Sequence, residues 1–294
     1  MDPDRTPQFL TTHEVAELLR VKERKIYDLA AENAIPCRRV TGKLLFPRDE
    51  LETWLAGGGQ APAVSPRPVV LAGSHDPLLD WAVRESGSAI ATLFDGSLDG
   101  VARMAAGEAI AAGLHVYAPE TDSWNVPLVR ERLGQAPFVL VEWCRRRRGL
   151  VVAPDAAGDI RALANLKGRR VVRRQPSAGA GLLLADLMAR DGIAAEDIRF
   201  TADIARTETD AAAAVASGEA DAALGLESLA ERLGLAFVPI IEERFDLLVD
   251  RRSWFEPPLQ TLMRFARTDA FAEKVRTMAG YDIAGLGTVH WNGP

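Results

Sequence analysis

A segment rich in glycine and proline divides this sequence into two parts: residues 56–68 read AGGGQAPAVSPRP. Three consecutive glycines followed by spaced prolines disfavour both a helix and a central strand. We therefore predict a linker over residues 57–68, between a head of residues 1–56 and a larger domain of residues 69–294. The full length of 294 residues fits two domains, because single hydrophobic cores seldom grow beyond about 250–300 residues.

The head has the pattern of two short helices joined by a tight turn. The segment HEVAELLR follows Thr12 and carries its apolar residues on one helical face, so we expect Thr12 to cap a first helix. A turn at Val21 and Lys22 precedes a second helix over about Glu23 to Glu32. The residues predicted to face the core of the head are Val15, Leu18, Leu19, Ile26, Leu29 and Ala30.

A hairpin and a third helix complete the predicted head. The segment IPCRRVTGKLLFP alternates in polarity around Thr41-Gly42, which is typical of a short β-hairpin or wing. We expect Pro47 to open the last helix, because proline is favoured in the first turn. The residues expected to close the small core from this helix are Leu51, Trp54 and Leu55.

The positive charge of this acidic chain is concentrated in the head. The net charge is −6, which by itself is unfavourable for a general nucleic-acid binder. Between Arg20 and Lys43, however, seven basic residues outnumber three acids, which gives this segment a charge of +4. A local basic patch on an acidic protein directs DNA contact to one face.

Three segments of the head resemble the excisionase/MerR-like winged helix-turn-helix family: LTTHEVAELL at Leu10–Leu19, IYDL at Ile26–Leu29 and IPCRRVTGKLLFPRDELETWL at Ile35–Leu55. The resemblance implies that the second helix enters the major groove of double-stranded DNA and that the wing contacts phosphate. The family usually has a serine-rich start to this helix, whereas Lys22-Glu23-Arg24-Lys25 stands here, so no base preference follows. Solvated charges on a small domain are the alternative interpretation. The residues implied to contact DNA are Lys22, Arg24, Lys25 and Tyr27 on the helix, and Arg38, Arg39 and Lys43 on the wing.

The larger domain alternates strand-like and helix-like segments. Such an order predicts an α/β fold with parallel strands covered by helices, in which ligands bind at the carboxyl ends of the strands. The strand-like segments are PVVLA (68–72), AIATLF (89–94), RRVVRR (169–174), IRFT (198–201) and DAALGL (221–226).

Hydroxyl side chains stand at four junctions between these strands and the helices that follow. Two junctions share the pattern Gly-Ser-x-Asp. A helix N-terminus offers unpaired N–H groups and a partial positive charge, which suit an anion. Serine and threonine are also ordinary helix caps, so each junction taken alone has a second interpretation. The hydroxyls are those of Ser74, Ser97, Ser177 and Thr207.

The larger domain also resembles the periplasmic-binding-protein-like domain that is fused to such heads in molybdate- and tungstate-type regulators. The similarity extends over almost all of residues 69–287. The matching segments are GSHDPLLD (73–80), GSLDGVARMAAGEAIAAGLHV (96–116), RRGLVVAP (147–154), AAAAVASGEADAALGLESLAERLGLAFVPIIEERFDL (211–247) and GYDIAGLG (280–287).

This resemblance implies a type II binding-protein fold, in which two α/β lobes enclose a ligand cleft and the chain crosses twice between them. The expected crossings are near Arg145–Leu150 and near Glu242–Phe245. We interpret the run Arg145–Arg148 as a solvated hinge face, with attraction of an anion as the alternative. The implied lobes are about 69–145 with 245–294 for lobe 1, and about 146–244 for lobe 2.

The same resemblance implies a small oxyanion such as molybdate or tungstate as the ligand, and no cofactor. Ser177-Ala178-Gly179-Ala180-Gly181 stands where the family has Gly-Ser-Gly-Thr-Arg, and Thr207-Glu208 where it often has Thr-His. Losing a guanidinium and gaining a carboxylate weakens anion binding or changes the ligand. Arg173 and Arg174 are candidates to compensate, and His75 is a candidate donor or a packing residue. Another small anion or a polar organic solute therefore stays open.

Together these features predict a cytoplasmic transcription regulator that binds DNA with its head and a small anion with its larger domain. The first residues, MDPDRTPQFL, lack the apolar core of a secretory signal, and no 18-residue apolar run is present, so we expect no membrane span. No catalytic set, metal-ligand cluster or phosphate loop has convincing spacing, so we expect neither an enzyme nor a metal site. The alternatives are a cytosolic solute-binding protein without DNA function and, least favoured, an enzyme of the binding-protein fold.

We expect a homodimer held together by the larger domain. MerR-type dimers use a long coiled-coil helix beyond the position of Trp54, and Gly57–Gly59 would break such a helix here. Operators with paired half-sites nevertheless favour a dimeric protein. Light scattering should therefore give dimers for the full chain and for residues 69–294 alone. A monomeric 69–294 segment beside a dimeric full chain would contradict this prediction.

Overall fold

The chain forms two compact units, Met1–Pro66 and Arg67–Pro294. Residues 57–65 of the predicted linker and Thr41 of the predicted hairpin lie outside the residues that the structure describes. Throughout the described part, no helix is long and apolar enough to cross a membrane. The computed structural model describes residues 8–32, 34–40, 42–56 and 66–294.

The first unit combines helices with a small antiparallel sheet, as the sequence predicts. Its strands are ordered β1-β3-β2 in the sheet. The order of elements is β1 (Phe9–Thr11), α1 (Thr12–Leu19), α2 (Glu23–Ala31), β2 (Arg38–Val40), β3 (Lys43–Pro47) and α3 (Arg48–Ala56).

The core of the head is small, and two leucines expected in it are exposed. Leu18 is 50% exposed and Leu55 is 39% exposed, so the prediction that they face the core is wrong. The buried stripe of α1 passes through Val15, which is fully buried, and Leu18 lies beside this stripe. In α3 the neighbouring Trp54 takes the inward position instead. The buried apolar residues are Leu10, Val15, Ala16, Ile26, Ile35, Phe46, Leu51 and Trp54.

Two helix starts in the head differ from the sequence prediction by one residue. Thr11, rather than Thr12, caps α1 through a capping box, in which its hydroxyl accepts from the N–H of Glu14 and the Glu14 carboxylate accepts from the N–H of Thr11. Thr12 is instead buried as the first residue of the helix. Pro47 ends β3, and α3 begins at Arg48.

The second unit is an α/β domain built on one ten-stranded sheet, with the main strand order β11-β10-β12-β9-β13-β6-β4-β5. Two short strands, β14 and β15, add to β9, and β7 and β8 pair separately. The strands are β4 (Val70–Gly73), β5 (Ala91–Phe94), β6 (Ala111–Leu114), β7 (Tyr117–Ala118), β8 (Ser123–Trp124), β9 (Phe138–Val152), β10 (Arg170–Arg174), β11 (Arg199–Ala205), β12 (Ala222–Leu226), β13 (Ala236–Asp250), β14 (Tyr281–Asp282) and β15 (Val289–Asn292). The helices are α4 (Pro77–Glu85), α5 (Ser97–Ala106), α6 (Val126–Leu133), α7 (Gly179–Arg190), α8 (Glu208–Ala216), α9 (Glu227–Arg232), α10 (Pro257–Phe265) and α11 (Asp269–Arg276).

Two long antiparallel strands, β9 and β13, each of 15 residues, connect the two halves of this sheet. Lobe 1 holds β4, β5 and β6 beside β13, and lobe 2 holds β10, β11 and β12 beside β9. The two expected crossings lie within these long strands. Their pairing is irregular at two places, between Pro239 and Ile241 and between Phe245 and Asp246 of β13.

Four consecutive arginines alternate between the two faces of β9. Arg146 and Arg148 are fully buried, whereas the side chains of Arg145 and Arg147 are 46% and 55% exposed. Successive side chains of a strand point to opposite faces. The prediction that the whole run is a solvated hinge face is therefore wrong for Arg146 and Arg148.

The buried arginines of β9 are neutralised by carboxylates from both lobes. Glu243 of β13 is fully buried and forms ion pairs with Arg146 and with Arg148, the latter through hydrogen bonds of 2.6 and 2.9 Å. Arg146 also donates to the carboxylate of Asp76 in lobe 1 at 2.8 Å. A buried charge without a partner is costly. The crossing strands therefore depend on this pairing.

Removal of the Glu243 charge should destabilise the larger domain strongly. Glu243→Gln leaves two buried guanidinium groups short of one carboxylate, and breaking a buried ion pair costs about 3–5 kcal/mol. Glu242→Gln is the matched control, because Glu242 is the neighbouring acid and its pair with Arg145, at 3.2 Å, is exposed. Such a surface pair contributes at most about 1 kcal/mol. Urea unfolding of both variants measures the difference, and equal losses would contradict the prediction.

Candidate functional site

The predicted DNA-binding residues of α2 lie on its exposed side. Ile26 is fully buried, whereas the next residue, Tyr27, is 52% exposed. Lys22, Arg24 and Lys25 are exposed as well, and Lys22 is the N-cap of the helix. Basic side chains thus surround the first turn of α2, which is the part of a recognition helix that reaches base edges in helix-turn-helix proteins.

The predicted wing is an antiparallel pair formed by β2 and β3. Gly42 in its turn has a φ of +82°, a conformation that glycine adopts without steric cost. Arg38, Arg39 and Lys43 are all exposed. Arg38 also donates to the carboxylate of Glu50 in α3 at 2.6 Å. The basic side chains of the hairpin are therefore accessible, and one of them joins the wing to α3.

In lobe 1 of the larger domain, two predicted ligand-binding serines lie side by side. Ser74 follows β4 and Ser97 begins α5. Both are buried, and their hydroxyl oxygens are 2.8 Å apart. The backbone N–H of His115, just after β6, donates to Oγ of Ser97 at 3.1 Å. The ends of neighbouring strands thus converge on one polar point beside a helix start.

The third predicted serine, Ser177, belongs to lobe 2 and contacts lobe 1 directly. Its hydroxyl donates to the carbonyl of Asp95, and its own carbonyl accepts from the N–H of Leu98 at 3.1 Å. A Cβ at Gly96 would lie 2.6 Å from the Ser177 backbone, and Gly96 has a φ of +103°. Only glycine permits this approach at that φ. The two lobes are therefore in contact at one edge of the cleft.

Thr207 and His75, two further candidates, have local partners. The hydroxyl of Thr207 accepts from the N–H of Asp210 at 3.0 Å, and the Asp210 carboxylate accepts from the N–H of Thr207. Thr207 thus caps α8. The ring of His75 packs edge-on against Phe94, with centroids 5.5 Å apart. Burial lowers the pKa of His75, which favours its neutral form; its Nδ1 has no hydrogen-bond partner among the described residues.

Arg174, the last predicted ligand residue, is paired with Glu208, the carboxylate that stands where the resemblance implies a histidine. Its Nε donates to the carbonyl of Ala205 at 3.0 Å, and a terminal nitrogen donates to Glu208 at 3.1 Å. Glu208 begins α8, is 1% exposed and accepts a second hydrogen bond from Arg148 at 3.0 Å. Burial raises the pKa of Glu208, but Arg148 and Arg174 outweigh this effect and hold the pKa well below its ordinary value.

Six buried or nearly buried charges form a row of alternating sign through the cleft, which we call the ion-pair row. Beside it, Nδ1 of His115 lies 3.0 Å from the Glu243 carboxylate; burial lowers the pKa of His115, and this carboxylate opposes that shift. Burial raises the pKa of the Glu243 carboxyl, but the charges of Arg146 and Arg148 outweigh this effect and hold that pKa well below its ordinary value. The row consists of Arg174, Glu208, Arg148, Glu243, Arg146 and Asp76.

Most of the ion-pair row was missed from the sequence. One signal for it exists, since Arg146 and Arg148 occupy alternate positions of one predicted crossing, and Glu243 lies in the other. Charges at alternate positions of two adjacent strands face each other on one side of a sheet. Asp76, by contrast, reads as an ordinary helix cap, and it does accept from the N–H of Leu79 at 2.7 Å.

Comparisons with known proteins match both units. A helix-turn-helix domain model matches residues 9–59, and a PBP superfamily domain model matches residues 80–267. An uncharacterized protein of Bacillus subtilis (strain 168), YvgK, is 26% identical over 299 residues, which cover 95% of this chain and 96% of that relative.

Solved binding proteins are similar to this chain at low sequence identity. PhnD1 from Prochlorococcus marinus (MIT 9301), solved with methylphosphonate, is 11% identical, with a TM-score of 0.49 over 74% of this chain and 92% of that one. The periplasmic aliphatic sulphonate binding protein SsuA from Escherichia coli is 17% identical, with a TM-score of 0.45 over 73% of this chain and 78% of that one.

The expected joining of a helix-turn-helix head to a binding-protein domain is confirmed. So is the α/β fold class, with two lobes built around the crossing strands β9 and β13. Since the residues matched by the PBP model, 80–267, make up more than half of the sequence, this chain belongs to the PBP (periplasmic-binding-protein) superfamily and carries a helix-turn-helix domain at its N-terminus.

Proposed function

We propose that this protein is a ligand-responsive transcription regulator. Its head binds double-stranded DNA, and its cleft binds a small anion, with molybdate and tungstate as the first candidates. The observation that carries the proposal is the joining of a helix-turn-helix with an exposed basic first turn of α2 to a PBP superfamily domain. We expect such a regulator to work in the cytoplasm, because it acts on DNA. We also expect it to have no enzymatic activity, because it acts by binding alone.

The donors of the two lobes support an anionic ligand. Lobe 1 provides the hydroxyl of Ser74 after β4 and that of Ser97 at the start of α5, and lobe 2 provides the guanidinium groups of Arg148 and Arg174. Hydroxyls at a helix N-terminus and arginine side chains both stabilise negative charge. Glu208 lies among these donors, and its carboxylate favours a polar organic solute as the alternative ligand.

The relative motion of the two lobes supplies the switch in this proposal. A ligand shifts an equilibrium only by its preference for one state, and a ligand held by groups of both lobes prefers the closed one. Closure of two lobes about a hinge is a bistable change of the kind that regulators use. In a homodimer, such a change in each ligand-binding domain transmits ligand occupancy to DNA affinity.

The DNA contact depends on the basic first turn of α2. Arg24→Ala with Lys25→Ala should weaken binding to the operator about tenfold or more and reduce its salt dependence, because both side chains are positioned to contact the duplex. The matched control is Arg130→Ala with Arg132→Ala, which removes two exposed positive charges from α6 in the larger domain. Gel-shift assays at moderate salt measure both pairs. Unchanged affinity in the α2 pair would support instead a solute-binding protein without DNA function.

The anion contact depends on the serine pair in lobe 1. A hydrogen bond to a charged group contributes about 1.5–3 kcal/mol, so Ser74→Ala or Ser97→Ala should lower ligand affinity roughly ten- to a hundredfold. Calorimetry measures this with the anion that gives the largest thermal shift among molybdate, tungstate, sulfate and phosphate. Ser217→Ala is the control, since Ser217 is exposed at the end of α8. Wild-type affinity in both variants would mean that the serines only support the fold.

A further inference from the structure

The carboxylate of Glu208 is held in the way that a small oxyanion would be held. Each of its two oxygens accepts from a different guanidinium, at 3.0 Å from Arg148 and at 3.1 Å from Arg174. The two arginines come from different strands, β9 and β10. Arg174 is also fixed by the carbonyl of Ala205, and Arg148 by Glu243. Both guanidinium groups therefore keep partners of their own without Glu208.

Among the carboxylates of the ion-pair row, Glu208 has the fewest hydrogen-bond partners outside the row. Asp76 accepts from the backbone of Leu79 and from the hydroxyl of Tyr281 at 2.6 Å as well as from Arg146. Glu243 is shared by Arg146, Arg148 and His115. Within the described residues, Glu208 accepts only from its two arginines. If the Glu208 side chain moved away from these two arginines, no backbone N–H group would lose a hydrogen-bond partner.

The charge balance of the ion-pair row favours an anion that replaces one of its carboxylates over an anion that is simply added. Three guanidinium groups face three carboxylates, so the row is neutral. An added anion would leave a buried excess of negative charge, which is costly in a low dielectric. Replacing one carboxylate by a singly charged anion preserves the balance, and replacing it by a dianion such as molybdate or sulfate adds one negative charge rather than two. As the first residue of α8, Glu208 is placed at the end of an element rather than inside the sheet.

We propose that Arg148 and Arg174 are the anion-binding pair of this cleft, and that Glu208 occupies them until a small oxyanion displaces it. This inference rests on the proposed function and specifies its ligand as an oxyanion with at least two oxygens for the two guanidinium groups. Glu208 then sets the ligand concentration at which the protein responds, because the ligand must compete with a carboxylate that is covalently part of the chain.

Glu208→Gln tests this displacement directly. The amide keeps the size of the side chain and removes its charge, so molybdate, sulfate and phosphate should bind the full-length variant about tenfold tighter or more, the equivalent of one charge-assisted hydrogen bond. Glu227→Gln is the matched control. Glu227 also begins a helix of lobe 2 and pairs with an arginine of the same run, Arg147, at 2.6 Å, but that arginine is exposed. Its substitution should leave anion affinity unchanged.

Calorimetry of wild type, both variants and the double variant Glu208→Gln with Arg174→Gln separates the outcomes. Tighter binding in Glu208→Gln that is lost again in the double variant supports the proposal, even where wild type shows no binding. Equal or weaker binding in Glu208→Gln beside a wild type that binds overturns it and leaves anion sensing intact. Absence of binding in every protein overturns both this inference and the anion in the proposed function, while DNA binding is decided separately by the gel shift.

A second substitution covers loss of folding in Glu208→Gln, which circular dichroism would reveal. Glu208→Asp keeps the charge but shortens the side chain, so one carboxylate no longer reaches both Arg148 and Arg174. Its anion affinity should rise by a smaller factor than that of the amide variant. Affinity equal to wild type in a folded Glu208→Asp protein would overturn the displacement.

Discussion

Two buried guanidinium groups on β9 require carboxylates around them, and this requirement organises the whole ligand-binding domain. Arg146 and Arg148 are fully buried, so each must be paired and hydrogen-bonded for the fold to be stable. One partner, Glu243, comes from the antiparallel strand, while Asp76 and Glu208 come from the N-terminal ends of helices in opposite lobes. The position of α4 relative to α8 is thus tied to one strand that belongs to both lobes.

The two lobes contribute chemically different halves to the cleft. Lobe 1 supplies neutral hydroxyls at Ser74 and Ser97, which accept or donate as required. Lobe 2 supplies permanent positive charge at Arg174, which is only slightly exposed. The close approach at Gly96 brings these halves together. In the proposed function, the ligand is held jointly by the serine pair of lobe 1 and the charge of lobe 2, so both lobes are needed to bind it.

More of the fold than of the candidate site could be predicted from the sequence. Local patterns predicted the elements of the head, the alternation of strands and helices, and the hydroxyls at strand ends, because these features depend on neighbours along the chain. The burial of Arg146 and Arg148 depends on Glu243, almost 100 residues later, so a run of charges looked like a solvated surface. Ser177 likewise pairs with Asp95, a contact that only the packing of two lobes creates. The capping shift from Thr12 to Thr11 is a smaller case, since two adjacent threonines have the same propensity.

The irregular pairing of β13 has a mechanical consequence. Its two register shifts lie on either side of Glu243, between Pro239 and Ile241 and between Phe245 and Asp246. Extra residues in a ladder increase the local twist and ease bending, so the segment between the shifts is the torsional element of the two-strand ribbon. That same segment bears the central carboxylate of the row. A rotation of one lobe against the other about this segment would therefore change the distances within the ion-pair row as it twists the ribbon.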